Sequence, residues 1–196
     1  MSWQRLNAPA RLRVAPSRTA RARGGARLRG PGWRLAAAML ALAVGGAARA
    51  DDAYGLIGRA APDFALHAAA GSNVRLSEHR GEVVVLSFWS SRCSPCRAQL
   101  EGLNRSLATY RQAGLAIFGV GVDDDPGQSR DFAHSMHVGF PLLLDPAKGV
   151  ARSYDVDNLP MTVLIDRNGT VRYAVRDYNA AADGAYLQAL RTLLNE

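Results

Sequence analysis

Only two cysteines occur in 196 residues, Cys93 and Cys96. A secreted scaffold stapled by several distant bridges is thereby excluded. A bridge between residues this close removes little entropy from the unfolded chain, so the pair is poorly placed as a structural staple. Acidic residues are missing altogether from residues 1–50, which carry ten arginines, while the other 146 residues hold 14 basic and 17 acidic side chains. The formal charge of +7 therefore belongs to the leader, and the rest of the chain is mildly acidic. No aromatic or glycine-aromatic repeat accompanies the arginines, so a nucleic-acid-binding arm is the weaker reading and no nucleic-acid partner is expected. Internal repeats and evident linkers are also absent. No nucleotide, haem or metal motif stands out, so no cofactor is expected.

The leader reads as three parts. A basic region closes at Arg34, an apolar stretch runs from Leu35 to Gly46, and Ala48-Arg49-Ala50 offers a small-x-small cleavage site before Asp51. That is the layout of a secretory signal peptide. Twelve residues are too few to cross a bilayer comfortably, so a retained membrane anchor is the second choice. An Arg-rich, acid-free leader also fits a mitochondrial transit peptide. There is no adjacent Arg-Arg pair to suggest a twin-arginine route, and no cysteine at the cleavage point to take a lipid. The expected division is residues 1–50 as leader and 51–196 as one domain, exported to the periplasm or a comparable space after cleavage near Ala50.

Within that domain, residues 51–58 read as a flexible lead-in. Two short extended segments, 64–67 and 73–76, flank a small turn and predict a β-hairpin. Residues 82–89 form a continuous apolar run with three valines, the mark of a strand buried on both faces. From residue 93 to about 112, Cys96, Leu100, Leu103, Leu107 and Tyr110 recur at three- and four-residue steps, which is helical. Further strands are predicted at 115–122, 140–144, 161–166 and 170–176. Further helices are predicted at 128–136, 146–154 and 183–194. Asn168-Gly169 marks the turn between the last two strands. This order predicts a three-layer α/β/α sandwich with a mixed central sheet and an N-terminal β-hairpin.

Cys93-Ser94-Pro95-Cys96 falls where the buried strand gives way to the first long helix. Free N–H groups and the dipole at a helix start favour a thiolate, the attacking form of cysteine. Pro95 suits the first turn, where its missing N–H costs nothing. Arg92 adds a neighbouring cation expected to lower the Cys93 pKa. The chemistry expected is thiol–disulfide exchange: Cys93 attacks, Cys96 resolves. Pro160, in Asn158-Leu159-Pro160-Met161-Thr162, is the second candidate. A cis bond there would hold the Leu159 backbone beside the thiols, where an extended substrate strand could pair with it. Trp89, Pro95 and Leu159 are the expected substrate contacts.

With these residues in place, the chain resembles the TlpA-like thiol–disulfide oxidoreductases, a thioredoxin-fold family related to the AhpC/TSA redoxins. The resemblance spans roughly residues 58–194. It rests on Ala61-Pro62-Asp63-Phe64, the segment from Phe88 to Arg97, Gly119-Val120-Gly121-Val122-Asp123, the segment from Phe140 to Asp145, Tyr154-Asp155-Val156 and the segment from Leu159 to Gly169. It implies a thioredoxin-like fold, Cys93 as nucleophile, Cys96 as resolving thiol and Pro160 as cis-proline. It also implies protein disulfides as substrates, a membrane electron donor and reduction as the direction of transfer. A monomer is expected. This chain departs from the family pattern at Arg92, where a tryptophan is usual. Gln99 and Glu101 stand where a carboxylate and a proline are common. Ser87 replaces the buried aspartate of thioredoxin, and Asn158 replaces a frequent glycine.

Two rival readings use the same residues. Cys93 and Cys96 with His134 and His137 would supply four ligands for a copper or zinc carrier. A peroxidase could occupy the same scaffold, although the Pro-x-x-x-Thr/Ser-x-x-Cys pattern of peroxiredoxins is missing.

Overall fold

The computed structural model describes residues 54–71, 73–177 and 180–196. The leader and its cleavage site at Ala50 lie outside the described residues. The hairpin comes first: β1 (Ala65–Ala68) runs antiparallel to β2 (Asn73–Arg75), with Leu66 opposite Val74. A 3₁₀ turn at Leu76–His79 leads into β3 (Val83–Trp89), in which all seven residues are buried. Strand alternation sends Val84, Leu86 and Phe88 to one side of the sheet and Val83, Val85 and Trp89 to the other.

Then α1 (Ser94–Tyr110) turns Cys96, Leu100, Leu103 and Leu107 inward along one stripe. Gly114, at a φ of 87°, ends the 3₁₀ turn that follows. The chain continues through β4 (Leu115–Gly121), α2 (Pro126–Ser135), β5 (Leu142–Leu144) and α3 (Gly149–Ser153). It closes with β6 (Met161–Ile165), β7 (Val171–Arg176) and α4 (Ala180–Leu194).

The seven strands lie in the order β2-β1-β5-β4-β3-β6-β7. Strands β3, β4 and β5 are parallel and the remaining pairings antiparallel, giving the mixed sheet. Stepping from β3 to β4 to β5 in one direction with right-handed crossovers puts α1 and α2 on the same face. There Cys96, Leu100 and Leu103 share a core with Tyr186, Leu190 and Leu193 of α4, and Phe132 of α2 packs against it. The other face is covered by Val150, Ala151 and Tyr154, together with Tyr54 and Phe64.

One expectation changes. The lead-in is not loose where it is described: Tyr54 is 6% exposed, and its hydroxyl donates to the Tyr154 carbonyl at 2.7 Å. With five residues, α3 is too short to cover its face of the sheet, and the lead-in covers the remainder. The expected hairpin is present, and it also extends the sheet. His67 and Ala68 pair antiparallel with Leu144 and Leu143, so β1 covers what would otherwise be the open edge of β5.

Candidate active site

The register of the sheet decides what gathers at one end. Trp89, the last residue of β3, pairs with Gly121, the last of β4, and Phe88 pairs with Met161, the first of β6. The residues after Trp89, those after Gly121 and Pro160 just before Met161 therefore leave the sheet at the same edge. That edge holds the start of α1.

Residues 90–93 make a tight turn, with the Cys93 N–H donating to the Ser90 carbonyl at 3.1 Å. Cys93 is the N-cap of α1, with extended backbone (φ −85°, ψ 100°) and no side-chain cap bond; Pro95 lies in the first turn. The two sulfurs are joined in a disulfide, with Cα atoms 5.3 Å apart. Cys93 is half-buried and Cys96 has no exposed surface. Of the two cysteines only Cys93 has exposed surface, and it stands at the start of a 17-residue helix, whose dipole is positive there.

The Leu159–Pro160 bond is cis. Pro160 is buried, and half-buried Leu159 packs against the cores on both sides of the sheet. Cys93 packs against the second of these. Asn158 braces the bend, since its Oδ1 accepts from the Leu159 N–H at 2.9 Å and its Nδ2 donates to Asp177 at 2.7 Å. An extended substrate strand seeking the Leu159 N–H must displace that side chain.

Arg92 is exposed, and its guanidinium reaches Gln128 Oε1 of α2 at 3.5 Å. Pro95 is exposed beside the disulfide. Trp89 requires correction. Expected on the substrate surface, it has no exposed area and stacks on Phe132 with ring centroids 4.8 Å apart. Its position in β3 has the parity of Val83 and Val85, which points it under the helices. The indole lies flat over β4 because that strand supplies glycines. A Cβ at Gly119 would stand 3.0 Å from Trp89 Nε1, and one at Gly121 2.7 Å from Cζ2.

Behind Cys96, Gln99 is 5% exposed and bridges two strands. Its Oε1 accepts from Ser87 Oγ of β3 at 3.1 Å, and its Nε2 donates to Thr162 Oγ1 of β6. The two departures noted at Ser87 and Gln99 are thus one structure: a neutral, fully paired polar chain in the core beside the inner cysteine. Glu101 faces solvent.

The sequence reading missed Asp123. This carboxylate is 8% exposed and accepts from Ser90 Oγ, Ser91 N and Oγ, and Ser129 Oγ at 2.5–3.1 Å. Burial pushes its pKa up, but the hydrogen bonds from Ser90, Ser129 and Ser91 outweigh that and hold it below the usual aspartate range. A signal was available, because Ser90-Ser91 and Asp123 follow the ends of two adjacent parallel strands. His134 lies in the last turn of α2. Among the described residues no group of three or more His, Cys, Asp or Glu is placed to hold a metal ion, so the Cys–His ligand set is not assembled.

Three comparisons bear on what this arrangement is. The AhpC/TSA family profile matches residues 57–174. The thiol-disulfide oxidoreductase ResA of Geobacillus kaustophilus (strain HTA426) is 35% identical over 119 residues, 61% of this chain and 68% of that protein. Among solved structures, a candidate thiol:disulfide interchange protein DsbE from Chlorobium tepidum superposes with a TM-score of 0.68 at 34% identity. That match covers 70% of this chain and 97% of the other. A candidate protein disulfide isomerase from Bacteroides thetaiotaomicron gives a TM-score of 0.66 at 32% identity, over 71% and 91% of the two chains. The three-layer fold is thioredoxin-like.

Proposed function

The chain belongs to the AhpC/TSA family and is a thiol–disulfide oxidoreductase, and from that premise we propose that it is exported and reduces disulfides of partner proteins through Cys93 and Cys96. The asymmetry of the pair carries the reading: one sulfur is reachable at a helix start and the other is enclosed. Starting from the dithiol, the Cys93 thiolate attacks one sulfur of a substrate disulfide. A Cys93–substrate bond forms, and the other substrate sulfur leaves as a thiolate and takes a proton. The Cys96 thiolate then attacks Cys93, forming the internal disulfide and releasing the second substrate thiolate. Two electrons pass from protein to substrate, and a membrane electron donor returns them to the monomer. Pro160 and Leu159 border the docking site, Pro95 offers exposed apolar contact, and Arg92 favours the Cys93 thiolate.

Export is supported by the three-part leader, and a cleavable signal ending near Ala50 is preferred to a retained anchor. Among the described residues no helix is long and apolar enough to cross a membrane.

The test is insulin reduction with dithiothreitol as electron source. The protein accelerates it, Cys93→Ser abolishes the acceleration, and Cys96→Ser accumulates mixed disulfides because resolution is blocked. A Cys93→Ser variant that keeps its full rate removes Cys93 as nucleophile. Fast turnover of hydrogen peroxide with no insulin reduction would favour the peroxidase instead.

A further inference from the structure

The three consecutive aspartates 123–125 have separate fates. Asp124 points to solvent and pairs with Lys148 at 2.7 Å, and Asp125 caps α2. Asp123 is turned inward beneath the turn that carries Cys93. Its contacts reach the backbone N–H groups of residues 91 and 92, and the Cys93 N–H is held by the backbone of Ser90, whose side chain binds the carboxylate. The Ser91 N–H donates to the carboxylate directly, at 3.0 and 3.1 Å. Ser90 Oγ, which donates to the carboxylate at 2.5 Å, itself accepts from the Arg92 N–H at 3.2 Å. The carbonyl of the same Ser90 accepts from the Cys93 N–H at 3.1 Å. Ser129 Oγ of α2 donates to the same carboxylate at 2.7 Å, tying it to a second element. A buried carboxylate with this many donors is rigid, and a small misplacement of a reacting group costs far more than the contact itself.

We propose that Asp123 is the positioning residue of the redox turn: clasped by Ser90, Ser91 and Ser129, its carboxylate holds residues 90–93 so that Cys93 stands at the positive end of the α1 dipole. This deepens the function proposed above and rests on Cys93 being the attacking sulfur. The two ways in which Asp123 could act on Cys93 have opposite signs. As a bare negative charge it would oppose the thiolate and raise the Cys93 pKa. As a clasp it keeps the sulfur where the helix start favours the thiolate and so lowers that pKa.

The experiment measures iodoacetamide alkylation of Cys93 against pH in the full chain, in a Cys96→Ser background so that a single thiol reports. Adding Asp123→Asn keeps the size of the side chain but sets an amide N–H₂ against donors. The alkylation midpoint should rise by about one pH unit, making the reaction about tenfold slower at pH values below both midpoints. Ser90→Ala removes one arm of the clasp and should shift the midpoint in the same direction by less. Asp124→Asn, on a side chain 87% exposed, should leave the profile unmoved. A lowered midpoint in Asp123→Asn would mean that charge alone acts, and an unmoved midpoint with a reduced melting temperature would mean a structural role only. Either overturns the proposal, as does an unmoved Ser90→Ala profile where Asp123→Asn fails to fold. Failure of the nucleophile assignment is read separately, as insulin reduction surviving in Cys93→Ser.

Discussion

Two helices leave the same end of the sheet, α1 after β3 and α2 after β4, and each carries a proline in its first turn. Their N-cap residues have nearly the same extended backbone, φ −85° and ψ 100° at Cys93 against φ −98° and ψ 110° at Asp125. At α2 the Asp125 carboxylate turns back and accepts from the Gly127 N–H at 2.8 Å. At α1 no side chain caps the helix, and the residue matching Gly127 is Pro95, which has no N–H to give. Such a cap is worth about 1 kcal/mol. At α1 the chain forgoes that stabilisation, and the positive end of the helix is left for whatever negative charge forms on Cys93. The nearest carboxylate, Asp123, is spent on the turn before the helix.

The strongest way to break the comparison is to give α1 the N-cap side chain of α2. Cys93→Asp should drop insulin reduction to background. Against Cys93→Ala it should gain less than about 1 kcal/mol in urea unfolding, through its charge at the positive end of the helix. No gain would mean that the start of α1 does not favour an anion. The converse change, Asp125→Ala, should cost about 1 kcal/mol in the same assay. The alkylation profile of Cys93 should remain in place, because that cap serves α2 alone. The smallest effect belongs to Arg92→Ala. Its exposed guanidinium should favour the thiolate, so the variant should alkylate more slowly, by less than about fivefold. Salt at about 0.5 M should erase the difference by screening. A large, salt-insensitive loss would place Arg92 inside the site rather than at its rim.

The strand β3, the helix after it and the cysteine pair were legible because each is written in adjacent residues: a continuous apolar run, a three- and four-residue stripe, a two-residue gap. The hairpin and the Asn168-Gly169 turn were legible for the same reason. Trp89 was misplaced because its nearness to Cys93 in sequence hid its parity in the strand, which sends the ring under α1 and α2. The Asp123 clasp was invisible as a motif because its donors come from 32 residues earlier and six residues later. Only the parallel pairing of Trp89 with Gly121 brings them together. The burial of Tyr54 could not be foreseen from residues 51–58, since it depends on how little of the sheet a five-residue helix covers a hundred positions away.

The indole of Trp89 resting on Gly119 and Gly121 ties three positions into one interlocking part. A methyl group introduced at Gly121 collides with the ring, one at Gly119 crowds it and meets Leu142 Cδ2 at 2.5 Å, and a smaller ring leaves an unfilled hole above them. Anyone grafting this dithiol onto another scaffold, or randomising the strand beneath it, would need to move the three together, as a mason moves a keystone with its seat.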